Sequence, residues 1–590
     1  MSTSLMTRRQ LALGAAGAAA LTGIAPMFAK AAENDAPETW DYEYDIVVCG
    51  AGGAGVIAAL KACEAGKNVL CIDANYDLGG HAIVSGGSVR CGGGTQTQKD
   101  QGVEDSPEQY YLDHTNWIPL DSRFNDRSIV REVADNLVEA WDWMLEQGMK
   151  VSVDFPDLSL DKNYLEGGVD CETVPREIHT DASGLVNIAT GKLCAGEING
   201  AGVIRPFELK AREMGVGFMM NRHMDSLVTD DSGAVIGIRA SYTPRILPDG
   251  TQLIGEYPDG NIEETRETIT VKASQVILAT GGSMGNVEFR TMYDPRWTQE
   301  YDGVGGEPYS FQDASGEIAG LAIGAGMGST ANITVQQRSP ITANKNLGCR
   351  YGYGALRWMP DAKVFPFAGA TGLFCRDYDG AIHVNLQGKR FANENASVAS
   401  IDEDQYAYFA AAMGSVVLDE GTDACRRVGG PIWAIFDSAF AKDHEFNCAY
   451  PDVDTENGYF FSGDTLEELA QNIVNKYYED YPMDPATLVA TVERYNELVD
   501  KGVDEDFGKP DDLMTKKIET GPFYAAWCTP ILHDCLSGLR TNAHRQVLNV
   551  YGQPIAGLWA CGEVAGGHHT HGLGKVQLSA YIAAKYAAQA

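Results

Sequence analysis

Residues 44–73 read YDIVVCGAGGAGVIAALKACEAGKNVLCID, and this stretch decides how the front of the chain folds. Tyr44–Gly50 is a continuous apolar run, the pattern of a strand buried on both faces of a parallel sheet. It enters Gly50-Ala51-Gly52-Gly53-Ala54-Gly55, a G-x-G-x-x-G turn. VIAALKACEAGK then carries apolar residues at helical spacing, and NVLCID forms a second strand whose final acid, Asp73, lies 23 residues after Gly50. Glycines at these positions let the backbone approach a pyrophosphate, the helix N-terminus offsets its charge, and the acid faces the ribose hydroxyls. Strand, turn, helix, strand and acid in register predict a dinucleotide-binding βαβ unit.

The rest of the chain narrows the function. At 590 residues it is too long for one simple domain. A formal charge of -36 opposes binding to nucleic acid or anionic membrane surfaces and favours a basic partner. The first residues, MSTSLMTRRQLALGAAGAAALTGIAPMFAKAAE, place Arg8-Arg9 ahead of a weakly apolar run and Ala29-Lys30-Ala31 as a small-residue cleavage site. Residues 1–31 resemble a twin-arginine export signal, which predicts a protein exported to the periplasm or cell surface; an ordinary secretory signal is the alternative. No other stretch approaches the roughly 20 apolar residues of a membrane span. The 13 cysteines include no C-x-x-C pair, which excludes a c-type haem, a zinc ribbon or a ferredoxin-type cluster.

Further glycine loops follow the βαβ unit. Gly79-Gly80-His81 and Ser85-Gly86-Gly87 form a second loop, QVILATGG (275–282) ends a buried strand at Thr280-Gly281, and GLWACGEVAGG (557–567) carries Glu563. With TVERYNELVDKGVDEDFGK (491–509), these motifs resemble the fumarate reductase and succinate dehydrogenase flavoprotein family, above all its soluble exported flavocytochrome-type members without their haem domain. Cardiac glycoside reductases, which act on an unsaturated lactone, are similar in the same sense. The resemblance covers essentially the whole chain after residue 31. It implies an α/β fold, with a Rossmann-like, discontinuous FAD-binding domain at 32–332 and 530–590 and an inserted α+β cap at 333–529. It also implies non-covalent FAD, although His81 lies near the loop where membrane relatives attach the cofactor.

Local patterns agree with that division. Residues 220–275 alternate like strands, punctuated by DDSG, LPDG and YPDG, and 464–500 has helical periodicity with Asp464 and Thr465 as N-cap candidates.

The family transfers a hydride from flavin N5 to an activated double bond, and its fumarate reductases supply the proton from an arginine and hold both carboxylates with arginine and histidine. GKRF-x-NE is present at Gly388–Glu394, but Val398 stands at the proton-donor position. The substrate His-His pair is His533-Asp534, Ser339 stands where a histidine precedes Pro340, and HTHGLGK (569–575) lacks the substrate arginine. Without paired guanidinium–carboxylate bonds, fumarate is poorly held. The expectation is therefore reduction of an enone, an unsaturated lactone or an aryl acrylate, with electrons from a separate cytochrome or quinol dehydrogenase. A 3-ketosteroid-type dehydrogenase and a non-catalytic electron-transfer protein are the alternatives.

The cap aromatics Tyr351, Tyr353, Trp358, Tyr406 and Tyr408 are candidates to line a flatter pocket, and Tyr406 is a candidate acid. Lys575, His571 and Asp534 complete the catalytic candidates. His569, Gln577 and Leu578 join the glycine loops, Asp73, Thr280 and Glu563 as cofactor candidates. His568, His569 and His571 have no cysteine beside them and make poor zinc ligands, so no metal site is expected.

Overall fold

The computed structural model describes residues 36–116, 125–152, 173–195, 199–329, 333–336, 358–368, 378–398, 403–568, 570 and 572–590. Residues 1–31, read above as an export signal, and residues 351 and 353 lie outside them.

The opening stretch folds as β1 (Tyr42–Cys49), α1 (Gly53–Glu64) and β2 (Val69–Ile72). The eight residues Gly53–Leu60 of α1 are all buried, as expected for a helix apolar on every side. Helices α2 (Arg127–Glu146) and α3 (Ala201–Met214) follow, then β3 (Gly217–Met219), β4 (Arg222–Thr229), β5 (Val235–Tyr242) and β6 (Thr268–Leu278). The β4–β5 turn is the DDSG expected from sequence: the Asp230 carboxylate accepts from the N–H groups of Ser232 and Ala234.

Helix α4 (Ser315–Ala322) precedes β7 (Ile333–Gln336), β8 (Ala381–Val384), helix α5 (Glu403–Gly414), β9 (Trp433–Asp437) and β10 (Phe460–Gly463). The periodic run at 464–500 is two helices, not one. Thr465 caps α6 (Leu466–Asn472), and Asp484 caps α7 (Pro485–Lys501). Pro482 and Pro485 withhold the N–H groups a continuous helix would need. The chain ends with β11 (Phe523–Trp527), β12 (Ile531–Cys535), β13 (Gln546–Leu548), β14 (Pro554–Ala560) and α8 (Leu573–Ala587).

Two main sheets divide the molecule. The larger runs β13-β14-β6-β1-β2-β3, with the β4–β5 hairpin added through β5. β1 lies parallel to β2 and β6, and β6 parallel to β14, so the C-terminal segment completes a sheet begun before residue 50. Helices α1, α3 and α8 pack in the core on one face. The smaller sheet, β8-β9-β11-β10, is antiparallel and is assembled from residues 381–527. β7 and β12 pair antiparallel between the two sheets, where the chain leaves and re-enters the larger one.

The two halves also meet at Asp302. One oxygen of its carboxylate accepts from Tyr459 Oη at 2.9 Å and Tyr477 Oη at 2.6 Å, and Lys476 Nζ lies 2.7 Å away.

Candidate active site

The N-terminus of α1, the exit of β6, the end of β12 and the N-terminus of α8 converge on one cleft. The glycine turn is shaped by contact. A Cβ on Gly55 would lie 1.7 Å from the Gly50 carbonyl oxygen, and one on Gly50, at φ +99, would lie 2.3 Å from the Ala279 carbonyl oxygen. Only hydrogen fits at either place. A Cβ added to Gly52, by contrast, would meet nothing nearer than 3.9 Å, and Gly52 caps α1 without a side-chain hydrogen bond. The first N–H groups of α1 therefore face open space, as a pyrophosphate requires.

Asp73 lies on the same wall. Its carboxylate accepts from Ala51 N at 2.6 Å and Asn75 N at 2.7 Å, so it also holds the glycine turn in shape. Burial outweighs these bonds and pushes its carboxyl up to about 6. Nearby, His223 bridges Asp225 (2.8 Å) and Asp313 (2.9 Å). Burial opposes its charge, but the two carboxylates prevail and raise it to about 10, so it is an imidazolium at neutral pH. Nothing in its local sequence marks it.

Gly80, His81 and Ser85 line the cleft, as do Thr280 and Gly281. Among the described residues the Thr280 hydroxyl is buried without a hydrogen-bond partner. Gln312, which sequence reading missed, accepts from Gly282 N and donates to Glu563 at 2.7 Å; the second Glu563 oxygen accepts from Cys535 N at 3.1 Å. At the β12 and α8 end, His81 and His533 meet edge to face with centroids 5.7 Å apart. Ligand atoms of His81, Asp534 and Glu563 lie within 4.8 Å of one another, a spacing a metal ion could span, within the cleft. Burial and Asp534 raise the Glu563 carboxyl, against His81, which lowers it. Asp534 accepts from Gly572 N at 3.3 Å, and Lys575 Nζ donates to Cys535 O at 3.3 Å.

Other sequence candidates sit elsewhere. Ala51 and Gly55 lie beneath the turn, and Gly79, at φ +120, turns the chain behind Gly80. Gly86 and Gly87 lie off the cleft wall, where Gly87 packs on the Asn199 carbonyl. Gln577 points its amide toward Met149 Sδ at 3.9 Å, and Leu578 belongs to the core. His568 is buried 3.4 Å from Tyr110 Oη. His569, His571 and the side chain of Tyr406 lie outside the described residues; Tyr406 falls on α5. Trp358 is fully buried, and Tyr408 is buried with its hydroxyl 2.9 Å from His383 Nδ1, so both pack the core.

The cleft has an open helix N-terminus, an unpartnered Thr280 hydroxyl and an acid after the second strand, which fit a flavin dinucleotide. The FAD binding domain family matches residues 45–341 and 351–574. The chain belongs to this family. The flavoprotein is 28% identical over 544 residues to urocanate reductase of Eggerthella lenta, covering 90% of this chain and 71% of the relative. It is 24% identical over 582 residues to digoxin reductase of the same species, covering 94% and 89%. Its fold matches the open conformation of a flavocytochrome c3 fumarate reductase with a TM-score of 0.60 at 22% identity, covering 100% of this chain and 82% of that one. It is an FAD-dependent oxidoreductase.

Proposed function

We propose that this flavoprotein reduces an activated carbon–carbon double bond in a substrate other than a dicarboxylate. The observation that carries the reading is the pair His533-Asp534 on the cleft wall beside α8. Asp534 presents a carboxylate where a second carboxylate would have to bind, and like charges in a buried site disfavour each other. Among the described residues lining the cleft the one guanidinium is Arg222, which is committed to the carbonyls of Arg266, Glu264 and Ala240. A flat substrate with a neutral or aromatic activating group fits this set better than fumarate does. Urocanate and digoxin reductases among the relatives support that class.

Bound FAD supplies the hydride. The chain's own groups hold the substrate and the proton: Asp534 and His533 face the substrate end, while His81 and Glu563 lie within 4.8 Å of each other beside them. Tyr406 and His571 are the other candidate acids. The reading includes export, supported by the Arg8-Arg9 segment, and a separate basic electron donor, supported by the absence of C-x-x-C-H from the sequence and by the charge of -36.

The test is anaerobic. FAD-loaded protein is reduced chemically and the return of flavin absorbance is followed with fumarate, aryl acrylates, enone steroids and unsaturated lactones. One non-dicarboxylate class is expected to reoxidise the flavin at least 100-fold faster than fumarate. Equal or faster reoxidation by fumarate overturns the reading, and flavin reduction by saturated ketones would replace it with a dehydrogenase.

A further inference from the structure

Lys575 is the third residue of α8, whose first turn lines the cleft. Its side chain is 2% exposed. Among the described residues the ammonium group makes one hydrogen bond, to the Cys535 carbonyl at 3.3 Å, and no carboxylate comes within the 4.0 Å of an ion pair. It lies in the first turn of a helix, where the backbone N–H groups already give positive potential. A lysine there is opposed twice, by burial and by the helix; burial holds its pKa below the usual lysine range. The nearby acids offset burial only in part: Glu563 and Asp534 act on Lys575 from beyond ion-pair distance, and Glu317, buried behind the wall, is pushed up to about 8 by burial and is protonated at neutral pH. A positive charge kept in this position without a partner is complementary to an anion that arrives with the ligand.

We infer that Lys575 is matched to the charge of the reduced cofactor, and that it sets how easily the flavin accepts electrons. Two electrons from a donor and one proton convert the oxidised ring to its singly anionic reduced form, so one negative charge remains on the ring. An ammonium group beside the ring stabilises that form over the neutral oxidised one. The cleft gives the same charge a second possible role, as a counter-ion to the pyrophosphate, which carries its charge in both redox states. That role would strengthen binding of both forms equally. The inference rests on FAD and not on the identity of the alkene, so it survives or fails independently of the substrate.

The experiment uses the FAD-loaded full chain and needs no substrate. The midpoint potential is measured by anaerobic titration with a viologen mediator for the native protein, Lys575→Met and Lys575→Arg. Lys575→Met is expected to lose about 100-fold in affinity for reduced relative to oxidised FAD, which at 29.6 mV per tenfold for a two-electron couple lowers the potential by about 60 mV. Lys575→Arg should keep the ratio within about threefold. As a second reading, sulfite, which leaves a negative charge on the oxidised ring when it adds, should bind Lys575→Met about 100-fold more weakly. An unchanged potential and sulfite affinity in a Lys575→Met protein that holds FAD overturns the inference. If Lys575→Met fails to retain FAD, apoprotein is titrated with oxidised and with reduced FAD. Equal weakening of both assigns Lys575 to the pyrophosphate and overturns it; selective weakening of the reduced form supports it.

Discussion

The cap and the cleft each bury several charged groups, and they treat them in opposite ways. In the cap, Arg390 grips Glu394 through two bonds of 2.8 and 2.9 Å and reaches Asp504 at 3.0 Å, while Lys509 lies 3.6 Å from Glu394 and donates to the carbonyls of Tyr378 and Ala381. Two cations meet two anions, and every one is fixed. Although burial raises the Glu394 carboxyl, Arg390 and Lys509 bring it down to about 2. In and around the cleft, among the described residues, Lys575 has only a carbonyl, Thr280 and Glu317 have no hydrogen-bond partner, and the Arg545 guanidinium is fully buried with none on any nitrogen. A network complete in itself is scaffold, whereas charge left unmatched belongs to whatever fills the space. The GKRF-x-NE motif, which precedes the expected proton-donor position held here by Val398, contributes its arginine and its acid to the scaffold of the cap.

The comparison can be broken from the cleft side first. Gly55→Val puts a Cβ 1.7 Å from the Gly50 carbonyl oxygen, and the purified protein should carry no flavin absorbance at all. Next in size is Glu394→Gln, which strands Arg390 and Lys509 in the cap. It should cost about 3–5 kcal/mol in urea unfolding while the folded fraction keeps its flavin; loss of flavin without loss of stability would contradict the assignment to scaffold.

The two regions should also respond oppositely to pH. Glu394, depressed to about 2, stabilises the cap above its unfolded value of 4.5 and loses that contribution as pH falls toward 2. His383, which burial holds at about 4, favours its neutral form, so the cap also loses stability as pH falls from 6.5 to 4. Asp73, raised to about 6, works the other way: its protonated form is favoured by folding, so its contribution is present below 3.8 and is lost as pH rises through 6. Hydrogen exchange of the apoprotein between pH 4 and 6.5 should show the cap strands gaining protection with pH while the glycine turn loses it, after correction for intrinsic rates. The smallest effect belongs to the Asp302 contact. A double-mutant cycle of Asp302→Asn with Lys476→Met should give a coupling below about 1 kcal/mol, since both side chains are partly exposed.

How much of this was legible depended on distance along the chain. The βαβ unit could be read because its glycines, its helix and Asp73 lie in one continuous stretch and obey local rules of strand, turn and helix. The C-terminal strand and Glu563 could be placed by resemblance. The helical periodicity at 464–500 and its Thr465 cap could be read, and Pro482 and Pro485 divide the run into two helices. The meeting of His81, Asp534 and Glu563 could not be read, because no local pattern joins residues separated by more than four hundred positions. Gln312, His223 and Glu317 gave no signal either: each takes its role from burial and from neighbours on other elements. For Gln577 and Leu578, resemblance supplied a helix facing the cleft but could not say which side of it each residue occupies.

Asp302 has one more consequence. It belongs to the same short loop as Gly305 and Gly306, where added Cβ atoms would lie 2.9 and 3.0 Å from His81. The clasp that holds the cap and the surface that backs His81 are therefore one piece of chain. A substitution that shifts Asp302 would also shift the surface the imidazole rests against. Whatever steadies residues 459–477 steadies the back of the cleft as well.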